Sequence, residues 1–129
     1  MLRLIICFTT LYAVVIGAPL LSAADAVSPS QDYRSLGDMS VDERVAMMTV
    51  VGEYNNCVYQ EGVARVNQFP DIRQAADAAL GACENLANKL RETIDAYGFE
   101  PGFSEQFVRH MQSRAARTLL PELAIRKSG

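Results

Sequence analysis

Two cysteines, Cys57 and Cys83, flank a single break at Phe69-Pro70, Cys57 12 residues before Phe69 and Cys83 13 after Pro70. If both flanks are helices folded back as an antiparallel hairpin, the sulfurs reach the same height along the pair and can bond. The spacing therefore predicts a stapled helical hairpin in an oxidising compartment. A redox-active pair wants Cys-x-x-Cys, with one thiol activated at a helix start and the other placed to resolve a mixed disulfide. Two mid-helix cysteines so far apart offer neither. A metal site needs more than two thiolates, and no other ligand stands at the required spacing.

The flanks read as helices on their own terms. Ser40 and Glu43 match the capping-box spacing, so a first helix is expected from Ser40 to near Gln68. Behind the cap, Met47, Val50, Val51, Tyr54, Cys57, Val58 and Ala64 recur at steps that build one apolar stripe. Gly52 and Gly62 interrupt it as weak helix formers and mark places where another chain segment comes close. Pro70 suits the first position of a second helix and Asp71 its positive end. A second stripe runs through Ile72, Ala76, Ala79, Cys83, Leu86, Leu90, Ile94 and Tyr97, with Gly98 as the C-terminal cap. Its first half is rich in alanine, which lets two helices approach closely. A third helix is expected from Phe103 or Ser104 to Leu120, with Phe107, Val108, Met111, Ala115 and Leu119 inward. Pro121 should end or kink it, leaving a tail in which Arg126, Lys127 and Ser128 are solvated. No segment alternates long enough to be a strand. The fold expected is all-α: a three-helix domain built on the disulfide-stapled hairpin.

The N-terminus bears on the compartment. Arg3 is the sole charge in the first 24 residues, Leu4 to Leu21 is nearly all apolar, and Ser22-Ala23-Ala24 supplies small residues. This is the pattern of a secretory signal peptide, with cleavage expected after Ala24 and after Ala26 as the second choice. An uncleaved anchor helix is the rival, because the apolar run is almost long enough to span a bilayer. Three regions follow: a signal peptide over 1–24, a flexible segment over 25–39, and a single helical domain over 40–129. The chain carries −3, and loss of Arg3 with the leader takes it to −4. So mild a charge gives no reason to expect nucleic acid, and no polybasic run points to a membrane surface. Cys7 leaves with the leader, so Cys57 and Cys83 are the mature chain's only cysteines.

Candidates for chemistry are few. His110, the only histidine, shares a helix side with Arg114 and Arg117. The three read as a basic strip for an anion or a partner, or else as the solvated side of an amphipathic helix. Met47, Met48 and Met111 with His110 are conceivable soft ligands for copper, although methionine at helical spacing more commonly fills core gaps. Carboxylates are scattered singly. No phosphate loop, nucleophile–base pair or paired-acid motif is present, so no catalytic residue and no cofactor is assigned. Phe69, Phe99 and Phe103 fall at helix junctions, where they close the bundle or offer an apolar patch.

Tyr54 shortly before Cys57, the Ala-rich run from Ala75 to Cys83, and an Arg-containing helix entering Leu120-Pro121-Glu122-Leu123 together resemble small uncharacterised periplasmic helical proteins of Gram-negative bacteria. That resemblance implies a location, periplasmic or secreted, and a helical fold; it brings no activity and no site residues. The function expected is a non-catalytic exported protein acting through protein–protein contacts, as accessory factor, inhibitor or subunit. Its partners are then proteins, a second copy of the chain included. A small-molecule or metal carrier with a pocket between the helices is the alternative.

Overall fold

A computed structural model of the chain describes residues 32–129, and these are all helix and connection, with no strand. The expected signal peptide and its cleavage site lie outside the described residues. Among the described residues there are four α-helices, not three: α1 (Val41–Arg65), α2 (Ile72–Ala82), α3 (Glu84–Asp95) and α4 (Phe103–Ser128). Short 3-10 turns precede α1 at Leu36–Asp38 and follow it at Val66–Gln68.

The extra helix comes from Cys83. The helix expected to run unbroken from Pro70 to Tyr97 divides there, where φ is −102° and ψ 14°. A ψ so far from the helical value turns the chain at one residue. The Cys83 N–H still reaches the carbonyls of Ala79 and Leu80, and its own carbonyl accepts from Leu86 and Ala87. With hydrogen bonds on both sides retained, the side-chain spacing continues through the break, so the stripe seen in the sequence passes over it. Cys83 is fully buried and is bonded to Cys57 of α1, Cα to Cα 6.0 Å.

Local chemistry sets the helix starts: α1 begins at its expected cap, whereas α2 begins two residues after Pro70, the first helical position expected, because Asp71 serves as its N-cap. Ser40 Oγ accepts from the Glu43 N–H and the Glu43 carboxylate accepts from the Ser40 N–H, closing the capping box. Asp71 caps α2 by accepting from the Arg73 N–H at 2.8 Å. Gly98 and Gly102, at φ 75° and 86°, take the left-handed conformation in the turn between α3 and α4.

The end of α4 departs from expectation. The helix continues through Pro121 to Ser128. Leu119 on one side of the proline and Leu123 on the other are both buried, and two large aliphatic side chains in the core hold the backbone helical across it. The carbonyl that the missing Pro121 N–H would have bonded belongs to Arg117, an exposed residue that water can serve. Nor is Lys127 simply solvated: its ammonium donates to the carbonyls of Val66 and Phe69, in the turn after α1.

One core joins all four helices. Tyr54 and Val58 of α1, Ala75 and Ala79 of α2, Leu90 and Ile94 of α3, and Val108 and Leu123 of α4 are at most 1% exposed. The alanines of α2 let it lie close to its neighbours. At Gly62 the Leu119 side chain of α4 occupies the space a β-carbon would need, 2.6 Å from its ideal position. Gly52 has nothing within 4 Å, so only one of the two glycines marks a close approach.

Ahead of α1, within the segment read as flexible, Arg34 ties three pieces together. Its guanidinium meets both Glu43 carboxylate oxygens at 2.9 Å and donates to the carbonyls of Asp38 and Tyr97. The Tyr97 hydroxyl donates in turn to the Glu43 carbonyl, and Met39 is buried. Tyr97, Phe99, Phe103 and Phe107 form a run of ring contacts 4.7–6.3 Å between centroids, so Phe99 and Phe103 pack along the α3–α4 turn.

Candidate functional site

Two faces of α1 are apolar. The stripe read from the sequence points into the core. A second set, Val41, Val45, Met48, Gly52, Asn55 and Tyr59, recurs at steps of four and three and points outward. Val41, Val45 and Met48 are 76, 60 and 54% exposed. A helix apolar on a second, solvent-facing side is a contact surface in need of a reason.

That second face borders a groove of about 560 Å³ between α1 and α4. The α1 wall supplies Met47, Met48, Val51, Asn55, Val58 and Tyr59. The α4 wall supplies Phe107, His110, Met111, Arg114, Thr118 and Leu119, and Leu36 stands at one end. The floor is formed by buried residues such as Val51, Val58 and Met111, and the rim by exposed ones such as Met48, Tyr59, His110 and Arg114. The walls run in the same direction, because Gln112 neighbours Tyr54 and Leu119 meets Gly62 further along both helices.

Of the basic strip expected on α4, His110 and Arg114 line the groove and Arg117 lies beside it, exposed one turn on. Neither Arg114 nor Arg117 has an acidic partner among the described residues, whereas Arg34, Arg65, Lys89 and Arg109 are each ion-paired, with Glu43, Glu61, Glu53 and Glu105. Arg126 adds charge near the groove by donating to the Tyr59 hydroxyl at 3.2 Å. No Asp or Glu lines the groove.

All four side chains considered as soft ligands, Met47, Met48, Met111 and His110, line this groove. The register of α1 on α4 puts the methionine pair of α1 about one and a half helical turns, roughly 8 Å, away from the level of His110 and Met111. That spreads thioethers along the trough without gathering them at a point. No cluster of three or more His, Cys, Asp or Glu is present among the described residues.

Behind the groove, Tyr54 is 1% exposed and its hydroxyl meets no partner in hydrogen-bond geometry among the described residues. Burial raises its pKa, and the neighbouring Gln112 acts in the opposite direction. Arg34 first, then the Ser40 N–H, lower the Glu43 pKa to about 2.

A second, smaller recess of about 330 Å³ lies between the residues before α1 and the α3–α4 turn, lined by Tyr33, Arg34, Leu36, Phe99, Glu100 and Phe103. The sequence reading found the basic strip but not the groove it borders. The outward steps from Val41 to Tyr59 were the available signal, overshadowed by the stronger inward stripe. No helix among the described residues is long and apolar enough to cross a membrane. No protein family, curated protein or solved structure matches this chain.

Proposed function

We propose that this is an exported, non-catalytic helical protein that acts through protein contacts, as an accessory factor, inhibitor or subunit, and that the α1–α4 groove is where it binds its partner. One observation carries the reading: exposed apolar side chains, Leu36 at 48%, Met48 at 54% and Tyr59 at 37%, gather around a single trough. Water-exposed apolar surface of this kind is stabilised when a partner covers it. The Cys57–Cys83 bond supports an oxidising location. In this reading α1 and α2 form the stapled antiparallel hairpin, a rigid base on which the groove keeps its shape in the absence of a partner.

The test is affinity capture from periplasmic extract with the wild-type chain and with Met48→Lys. Met48 is on the rim, so a lysine there leaves the fold intact and sets a charge in the contact. A partner captured by the wild type and lost by the variant supports the reading. Full retention by the variant overturns it.

The carrier reading has its own supporting observation: the groove falls within the size range of ligand pockets, and Met47, Met48, Met111 and His110 line it. Native mass spectrometry of the purified chain decides it, through a stoichiometric mass added by ligand or metal. The same spectra report whether the chain self-associates.

A further inference from the structure

We infer that the partner segment held by the groove is an amphipathic helix with carboxylates along one edge of its apolar face. The inference rests on the groove being a protein-docking site, and adds the chemistry of what docks there.

Shape comes first. The trough lies between two helices, and its α1 wall extends from Met48 to Tyr59, about 16 Å at the helical rise. This length holds about three turns of a third helix, enough for anchors at i, i+3 or i+4, and i+7. Methionines on both walls suit such a partner, because their unbranched side chains adapt to whatever anchor arrives. A single-chain amphiphile of similar polarity fits less well. Ligand pockets enclose most of their ligand, whereas this groove has exposed residues along both edges.

Charge gives the partner its sign. The α1 glutamates are already engaged, Glu43 by Arg34, Glu53 by Lys89 and Glu61 by Arg65. On the α4 side, Arg114 and Arg117 are not, and His110 stands beside them. A chain of net charge −3 thus sets Arg114, without an acidic partner among the described residues, on the rim of this apolar trough beside His110, with no Asp or Glu among the lining residues. An incoming helix with Asp or Glu on the edge facing α4 supplies the missing counter-charge. A lysine there meets like charge, which discriminates between partners more than it adds affinity.

The probe is a pair of fluorescent, side-chain-stapled helical peptides on an alanine scaffold, with leucines at i, i+3 and i+7. One carries glutamates on one flank and its twin carries lysines there; binding is read by fluorescence anisotropy. The acidic peptide should bind the wild type roughly tenfold more tightly than the basic one, a gap that narrows as salt is added. Arg114→Glu should reverse the order, and Met48→Lys should weaken both. Arg73→Glu, on α2 away from the groove, should change nothing. Equal affinity for the two peptides, or a preference that Arg114→Glu leaves unmoved, overturns the inference. So does binding of laurate to the groove when neither peptide binds. Failure here is separable from failure of the docking site itself. A chain that binds neither peptide, yet loses its extract partner on Met48→Lys, refutes the acidic helix and keeps the site. One that retains every partner on Met48→Lys has no docking site there.

Discussion

Gly52 and Gly62 share α1, yet a β-carbon would meet opposite surroundings at the two positions. At Gly62 it collides with the buried Leu119 side chain, and at Gly52 it enters open space. Gly62→Ala should therefore destabilise the fold by about 1–2 kcal/mol, since overpacking outweighs the gain in helix propensity. Gly52→Ala should stabilise it by about 0.5–1 kcal/mol. Urea midpoints of the two variants check both signs together. Glu43 sets a pH dependence at the same scale. Its pKa in the fold is lowered to about 2 by the Arg34 hydrogen bonds and the Ser40 N–H. The stability it contributes is fully present above its ordinary pKa of 4.5 and disappears as pH falls from there toward about 2. Glu43→Gln should lower stability near neutral pH and flatten part of the loss on acidification, with Asp38, lowered by Ser35, keeping a share. Denaturant titrations at neutral and acid pH measure this.

At the scale of elements, the helices were legible wherever a cap or a stripe marked them. Ser40 with Glu43 began α1, Asp71 capped α2 beside Pro70, and Gly98 lay past α3. The misreadings fell where backbone angles change and side-chain spacing does not. Cys83 turns the chain without shifting the stripe, so one expected helix became α2 and α3. At Pro121 the local rule against an interior proline was overridden by Leu119 and Leu123, which are buried on both sides of it. If packing holds the helix there against the proline, Pro121→Ala should relieve the clash with the Arg117 carbonyl and raise stability by about 1–3 kcal/mol. A higher melting temperature with unchanged helix content is the expected result. A loss of stability would show that the proline had been absorbed without penalty.

Across the whole molecule, the bond from Cys57 to Cys83 closes a loop with a sequence separation of 26. In the chain-entropy account this contributes about 3.5 kcal/mol, a sizeable part of what a small domain has. The double substitution Cys57→Ser with Cys83→Ser should lower the urea midpoint accordingly. Reductant should lower the wild type toward the variant and leave the variant unmoved. The candidate site exists only at this scale. His110, Arg114 and Arg117 could be singled out on one helix side from their spacing, but Met48, Tyr59 and Asn55 belong to a different helix, and nothing local links them to α4. What the amino-acid sequence determined by itself was the all-helical class, the capped starts, the inward stripes and the pairing of the two cysteines. Each depends on residue type and spacing within a short stretch, where helical geometry is fixed. The division at Cys83, the continuation through Pro121 and the groove between α1 and α4 were decided only in the tertiary structure. They arise where one helix's side chains set the surroundings of another's, and that register, with Leu119 against Gly62, is a property of packed surfaces.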